Sequence, residues 1–314
     1  MTLIIADVGG TNTRMAMVPH DTKQMETVRH FDNAKYATFY DVLGEYLADA
    51  GDPKVRACSV AMAGPVLSGQ GALTNRDWMI SVEGLKSAAQ CGRAVLINDL
   101  SALGYALGNL PEGGTDPIMT PETDAAKNGQ SLVVGLGTGF NVCPVRVMPS
   151  GASCCLEVEA GHTELPRAVI APLEAQIGNS VVAFPTVEDL FSGRGLGKLY
   201  DIVSGHEGSS GKDVVTAYRD EADPHARQVL TLYAQLLRRL CAELALQYMP
   251  RDGIYLAGSV ARGVLSPEFL PHLTAPTGAQ KRFGDPLGNM PMSLILEDAA
   301  ALHGCIAAEE MLGG

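Results

Sequence analysis

Four short stretches hold most of the side chains able to do chemistry. The first, Asp7-Val8-Gly9-Gly10-Thr11-Asn12-Thr13-Arg14, follows the apolar run 3–6. Gly9 and Gly10 permit close backbone approach, and successive N–H groups with Thr11 and Asn12 can surround a phosphate. The stretch carries neither Gly-Lys-Ser/Thr nor Gly-x-Gly-x-x-Gly, so it is not a P-loop or a dinucleotide fingerprint. Asp7 by itself repels an anion. It becomes useful if it holds Mg²⁺, directly or through water, beside that phosphate. Taken alone, the octapeptide is equally a tight hairpin with Asp7 capping backbone N–H groups.

The second stretch, Gly135-Leu136-Gly137-Thr138-Gly139, repeats the theme further along the chain. Glycines serve a plain β-turn equally well. Two such turns at corresponding points of two halves could close on one polyphosphate from opposite sides, which favours a nucleotide. A further small-residue stretch, 257–263 around Gly258, leaves room for a flat group such as adenine.

In the third stretch Asn98 and Asp99 end an apolar run just before a helical one. A carboxylate there sits where open α/β sheets bind ligands. Asp99 is a candidate general base for a hydroxyl, or simply a helix N-cap. The fourth stretch, 159–166, offers Glu159, His162 and Glu164 around a glycine, as acceptors and a donor for a polyhydroxylated substrate or as a charged surface turn. The other histidines make no metal-ligand spacing with His162. Thr74 and Asn75 form a small neutral edge, and Trp78 reads as a packing anchor. Glu188 is either an acid of a helix first turn or a ligand acceptor. The vicinal Cys154 and Cys155 have no identifiable base beside them and read as structural.

The elements that must position these groups follow from periodicity. Residues 3–8, 13–19 and 24–32 read as three strands of a meander. A helix is expected over 37–51, with Phe39, Val42, Leu43, Tyr46 and Leu47 at helical spacing and Gly51 as its stop. Buried strands follow at 56–64 and 94–99, helices at 82–92 and 101–110, and a turn-rich region at 64–78. This β-β-β-α-β-α-β-α order implies a mixed sheet with helices on its faces. Residues 111–129 read as a polar linker or surface loop. The pattern then partly recurs: strands at 130–139 and 141–147, helices at 190–203 and 223–250, a strand from 252 running into glycine-rich backbone, and a last segment, 293–310, that ends as a helix. Two related α/β domains facing each other would form a cleft, the usual place for a small-molecule site.

Composition bounds the partners. The chain has 314 residues, 46% hydrophobic and 18% charged, so it is expected to be an ordinary soluble globular protein. A net charge of −12 without Lys/Arg clusters argues against nucleic acid. The seven cysteines are odd in number and form no Cys-x-x-Cys pair, which fits a reducing, cytoplasmic setting. No apolar run is long enough for a membrane span, and no signal peptide is recognisable.

Taken in order, 7–14, 73–78, 96–102, 135–139, 159–162, Glu188 with 192–196, and 257–263 resemble the bacterial glucokinases along essentially the whole chain. That resemblance implies the hexokinase–actin–sugar kinase superfamily: two ribonuclease H-like α/β domains with mixed sheets and an interdomain cleft. It implies a small domain over 1–110 completed by the C-terminal helix 297–314, and a large domain over 111–296. The implied activity is transfer of the ATP γ-phosphoryl to the 6-hydroxyl of glucose with Mg²⁺. Another hexose or an N-acetyl amino sugar, or a non-catalytic sugar-binding regulator, is the alternative. By motif, Asp99 resembles the base that takes the hydroxyl proton. Asn75, Asn98, Glu159, His162 and Glu188 resemble sugar ligands. Asp7, Gly9, Gly10, Thr11, Asn12, Gly137, Thr138 and Gly139 resemble the phosphate and Mg²⁺ elements, and Gly258 the adenosine side. The resemblance also implies a homodimer. Three stretches depart from the family: Ala160 stands where Glu-Gly-Gly-His is usual, the approach to it over 151–158 is unlike the commoner small and glycine-rich one, and 140–143 replaces a run usually containing Gly or Leu.

Overall fold

The computed structural model describes every residue except 23, 74–75, 122–125, 277–284 and 314. The chain divides into two compact units, one of Met1–Glu112, Pro149–Cys155 and Glu297–Gly314, the other of Gly113–Met148 and Leu156–Leu296.

The first unit is built on a five-stranded mixed sheet. Strands β1 (Thr2–Val8), β2 (Asn12–Pro19) and β3 (Glu26–Asp32) form the antiparallel meander, and β4 (Val55–Met62) and β8 (Arg93–Asn98) run parallel to β1, in the order β3-β2-β1-β4-β8. Because strand side chains alternate, β1 feeds two cores. Ile4, Ala6 and Val8 pack on one face with Phe39, Val42 and Leu43 of helix α1 (Phe39–Asp49). Leu3 and Ile5 pack on the other with Ala102 and Tyr105 of α3 (Asp99–Ala106) and Leu302 and Cys305 of α11 (Ala300–Leu312). Asp7 continues the 3, 5, 7 row, so it belongs to the face that α3 and α11 cover.

Helix α1 starts at a capping box, with Thr38 and Asp41 each bonding the other's backbone N–H. The turn-rich region 64–78 contributes to a small antiparallel sheet of β5 (Val66–Leu67), β6 (Gln70–Ala72) and β7 (Met79–Ser81), followed by α2 (Val82–Ala88). Trp78 is 2% exposed in the core, the anchor that its type suggested.

The second unit carries β9 (Thr115–Met119), β10 (Gln130–Leu136), β11 (Phe140–Val147), β13 (Gly253–Ala257) and β14 (Met292–Ile295), in the order β11-β10-β13-β14-β9; β12 (Ser153–Cys155) lies in the segment that clusters with the first unit. The arrangement repeats that of the first unit: β10 pairs antiparallel with the next strand and parallel with β13. Helices α4 (Arg167–Ile177), α5 (Val187–Phe191), α6 (Gly193–Ser204), α7 (Gly211–Arg219), α8 (Pro224–Tyr248), α9 (Ser259–Val264) and α10 (Leu270–Thr274) complete it. Asp223 caps α8 with Pro224 in its first turn, the arrangement that starts a long helix cleanly.

Three expectations are corrected. Residues 111–129 are not wholly a loop, because Thr115–Met119 pairs antiparallel with β14. Pro117 hides this strand in the sequence, yet an edge strand tolerates proline. The single helix over 190–203 is two, broken at extended Ser192, whose hydroxyl accepts from Gly195 N–H to start α6. The glycine-rich backbone after β13 is a short helix from Ser259.

The C-terminal helix is pinned by a buried carboxylate. Glu309 is 2% exposed and receives both Arg56, at 2.9 Å to each oxygen, and Arg93. Removing one partner of a buried ion pair leaves the others uncompensated. Arg56→Ala should therefore lower unfolding free energy by about 3 kcal/mol in urea titration, because it takes from the buried Glu309 carboxylate the arginine bonded to both its oxygens. Arg93→Ala should cost under about 1 kcal/mol, because that side chain is 48% exposed.

Candidate active site

The first unit gathers two carboxylates at the carboxyl ends of its parallel strands. The β1–β4–β8 register aligns Asp7 with Ala61 and Ile97, and Val8 with Met62 and Asn98. Asp99 is the first residue of α3, the helix packed on the face to which Asp7 belongs. The capping role falls to Asn98 rather than to Asp99: Asn98 Oδ1 accepts from Leu100 N–H (2.9 Å) and Ser101 N–H (3.4 Å), and its amide donates to Gly64 C=O (3.0 Å). Asp99 Oδ1 accepts from Leu100 N–H at 2.8 Å.

Desolvation first, and the neighbouring Asp7 charge second, raise the Asp99 carboxyl to about 6. Burial also raises Asp7, against the lowering effect of Arg14 opposite it on β2. Cys305, whose thiol donates to Ala6 C=O at 3.3 Å, is pushed up to about 12 by burial and by Asp7. It is a packing residue and no nucleophile.

The 7–14 turn does not use Asp7 as its cap. Its backbone closes through Gly9 N–H to Asn12 C=O at 2.9 Å. Asn33, fully buried, staples it: its amide donates to Gly9 C=O (2.8 Å), its Oδ1 accepts from Thr13 hydroxyl (2.7 Å), and its backbone N–H donates to Thr11 C=O (2.9 Å). Asn33 escaped the sequence reading because it lies outside the motif, after β3. Thr11 and Asn12 are exposed, and Gly9 and Gly10 are partly so.

The second unit holds the other predicted residues. Gly137 N–H donates to Gly139 C=O (3.0 Å), and Gly193 N–H at the start of α6 donates to Gly137 C=O (2.8 Å). Gly258 backs this turn at φ +103°, and a Cβ there would lie 2.3 Å from Leu136 C=O. That conformation and that contact admit only glycine. Thr138 is exposed and a Cβ on Gly137 would meet nothing within 4 Å, so the outer side of the turn is open. Glu188 lies on the inner side: its carboxylate accepts from Phe140 N–H (2.9 Å) and pairs with Arg194 (2.9 Å). Its neighbours Thr186 and Asp189 make the capping box of α5, so Glu188 is not needed there.

Glu159 precedes the 3-10 turn Ala160–His162 and His162 ends it, both largely exposed, with His162 Nε2 3.9 Å from Glu159 Oε2. Phe140 C=O presses on Gly161, where a Cβ would lie 2.1 Å away. Asn141 and Arg194 complete this cluster, and neither was among the sequence candidates. Arg194 sat unmarked inside a glycine-rich helix start. Asn141 was visible only as part of a departure from the family. Asn75 lies outside the described residues. Within each unit the structure thus groups the candidates: Asp7, the 9–12 turn, Asn98 and Asp99 in the first, and 137–139, Glu159, His162, Glu188 and Gly258 in the second.

No group of three or more His, Cys, Asp or Glu among the described residues could by itself hold a metal ion. Mg²⁺ fits such a setting, since it keeps several waters and binds through one or two carboxylates plus substrate phosphates. Asp7 is a carboxylate of that kind. The open outer side of the 137–139 turn, with Thr138 exposed and nothing within 4 Å of a Cβ on Gly137, leaves room for a nucleotide.

Comparison with known proteins bears on the chain as a whole. A family model described as Glucokinase matches residues 4–311. A glucokinase of Nitrobacter hamburgensis is 31% identical over 312 residues, covering 96% of this chain and 95% of its own. The crystal structure of a glucokinase from an Antarctic psychrotroph aligns with a TM-score of 0.78 at 24% identity, covering 98% of each chain. A ROK family glucokinase from Streptomyces griseus in complex with glucose and AMPPNP aligns with a TM-score of 0.63 at 18% identity, covering all of both chains.

The Asp99 carboxyl is expected to titrate near pH 6 by carbon-detected NMR. Asp7→Asn should move that titration downward, because a like charge beside it is removed. An unmoved titration would show that burial alone sets it.

Proposed function

Because the chain belongs to the glucokinase family and is a sugar kinase, we propose that its reaction is transfer of the γ-phosphoryl of ATP to the 6-hydroxyl of glucose. The observation that carries the assignment of the base is the raised carboxyl of Asp99, held at a helix start beside Asp7. With its pKa at about 6, Asp99 is ionised at neutral pH yet basic enough to take a hydroxyl proton as the bond to phosphorus forms. Most of the barrier to phosphoryl transfer is lowered by positioning and charge stabilisation, so a base of this strength suffices.

The other roles follow the chemistry of each group. Glu159, Glu188 and His162 accept from or donate to sugar hydroxyls, and Asn98 and Asn75 serve the same sugar. Asn98 already spends its amide on Gly64 and its carbonyl on the α3 start, so its contribution is a fixed edge rather than a mobile ligand. The turns at 9–12 and 137–139 receive the phosphates through N–H groups, with Gly258 keeping the second turn in shape. Mg²⁺, when bound, would be held by Asp7 directly or through water and would neutralise charge on the transferring phosphates. The glucose and AMPPNP bound by the Streptomyces griseus protein support this choice of substrates. A reducing, cytoplasmic setting, suggested by the number and spacing of the cysteines, belongs to the same reading. The family resemblance favours a homodimer, and no helix among the described residues is long and apolar enough to cross a membrane.

A coupled ADP-release assay over a panel of hexoses tests the proposal. Glucose should give the highest kcat/KM. A higher value with N-acetylglucosamine, mannose or fructose would transfer the assignment to that sugar, and no sugar-dependent release would revive the non-catalytic regulator. The profile of kcat/KM should rise with pH to a plateau above about 6. Asp99→Asn should lower kcat by about 10²–10⁴-fold while sugar binding is largely kept.

The same substitution has a stability signature. A carboxyl whose folded pKa exceeds its unfolded value favours folding when protonated, so ionisation costs stability as pH rises from about 4 to about 6. Asp99→Asn removes that cost. Its melting temperature at about pH 7.5 should equal or exceed the parent's, with the advantage fading toward about pH 4. A lower melting temperature at neutral pH would mean that Asp99 is a structural group.

A further inference from the structure

Asn141 makes more directed contacts to the 158–162 turn than any single purpose of β11 requires. It stands at the start of that strand, opposite Gly135, and its side chain leaves the sheet to meet a separate loop. Its Nδ2 donates to Val158 C=O at 2.6 Å and to Glu159 Oε2 at 3.2 Å. Its Oδ1 accepts from Ala160 N–H at 3.0 Å and from Val142 N–H at 2.9 Å. Donors and acceptors on both sides of the amide fix its orientation, since a flipped amide would face two donors with an N–H₂ group.

The consequence falls on Glu159. This side chain is 64% exposed and would otherwise sample several rotamers. The Asn141 amide holds Oε2 in place, and the neighbouring peptide is clamped at Val158 C=O and Ala160 N–H. Among the described residues no donor reaches Oε1, which is left as an acceptor for an incoming hydroxyl. The preceding residue extends the same frame. Phe140 N–H donates to Glu188, and Phe140 C=O packs on Gly161. The dipeptide 140–141 therefore sets the two acidic side chains of this cluster relative to each other.

We propose that Asn141 is a positioning residue for substrate specificity: it orients the Glu159 carboxylate so that one oxygen is pre-set for a single sugar hydroxyl. Ala160, the other departure from the family in this cluster, takes part through its backbone N–H. The inference rests on the assignment of Glu159 to the sugar, and the test separates the two. A pre-set acceptor discriminates against an analogue lacking its hydroxyl, because an acceptor covered by the bound sugar is then left without a partner.

The test measures KM and kcat for glucose, KM for ATP, and kcat/KM for a set of monodeoxyglucoses, in the parent, Glu159→Gln, Asn141→Ala and the double variant. Asn141→Ala should raise KM for glucose by about tenfold, the effect of losing a hydrogen bond to a charged group, and leave KM for ATP within about twofold. It should also flatten discrimination against the same deoxyglucose that Glu159→Gln no longer distinguishes. In the double variant KM should match that of Glu159→Gln alone, since Asn141 acts through that carboxylate. Multiplying effects, or an unchanged glucose KM in Asn141→Ala, would overturn the role of Asn141 while leaving Glu159 in the sugar site. An unchanged KM in Glu159→Gln would remove Glu159 from the sugar and overturn both. If Asn141→Ala melts early, Asn141→Asp answers the same question: it keeps the acceptor for Ala160 N–H, loses the donor, and sets a like charge beside Glu159. It too should raise KM for glucose with KM for ATP unchanged, and equal KM for glucose in Asn141→Asp and parent would overturn the proposal.

Discussion

Two carboxylates drawn out of water beside one another lose hydration and repel, and in the first unit Asp7 and Asp99 are held in that state. Each is shifted toward its protonated form by burial, and Asp7 adds its charge to the shift at Asp99. Such a pair persists only where the surrounding fold is over-determined. Here β1 is buried on both faces, Asn98 rather than Asp99 secures the α3 start, and the C-terminal helix is locked by Glu309 between two arginines. The last residues of the chain thus support the residues at its beginning, through Cys305 against Ala6 and the packing of α11 on the face to which Asp7 belongs.

The sugar-binding role proposed for the second unit sets a different requirement. Sugar recognition needs several acceptors at fixed positions, and exposed glutamates do not stay fixed unaided. Glu188 is fixed by Phe140 N–H and Arg194, and Glu159 by Asn141. Gly258 does the same for the turn at 137–139 by filling a space that admits no side chain. Strand β11 therefore links the glycine turn at 137–139 and the acidic cluster within one short run of chain.

Much of this was legible in the sequence, and particular residues show why. Near-continuous apolar runs marked β1, β4, β8 and β10, because strands buried on both faces leave a dense apolar signal. The ordered motifs gave the family, and the two-unit kinase fold came with it. Strand β9 was lost because Pro117 and a polar surrounding look like loop, and its pairing depends on β14, far away in the chain. The glycines of 193–197 concealed a helix start because their close approaches are tertiary. Asn98 and Asp99 could not be told apart as cap and free acid, since either residue type can cap and only backbone geometry chooses. Asn33 and Asn141 were silent for the same reason: their importance lies in hydrogen bonds to residues distant in sequence.

The most direct measurement is a crystal structure of the protein with glucose and a non-hydrolysable ATP analogue. The sugar 6-hydroxyl should lie within about 2.6–3.2 Å of the Asp99 carboxylate, with Glu159 and Glu188 on other hydroxyls of the same ring. A bound sugar whose 6-hydroxyl faces a different base, or one that leaves Asp99 without a hydroxyl contact, would contradict the assignment of Asp99 as the group that takes the proton.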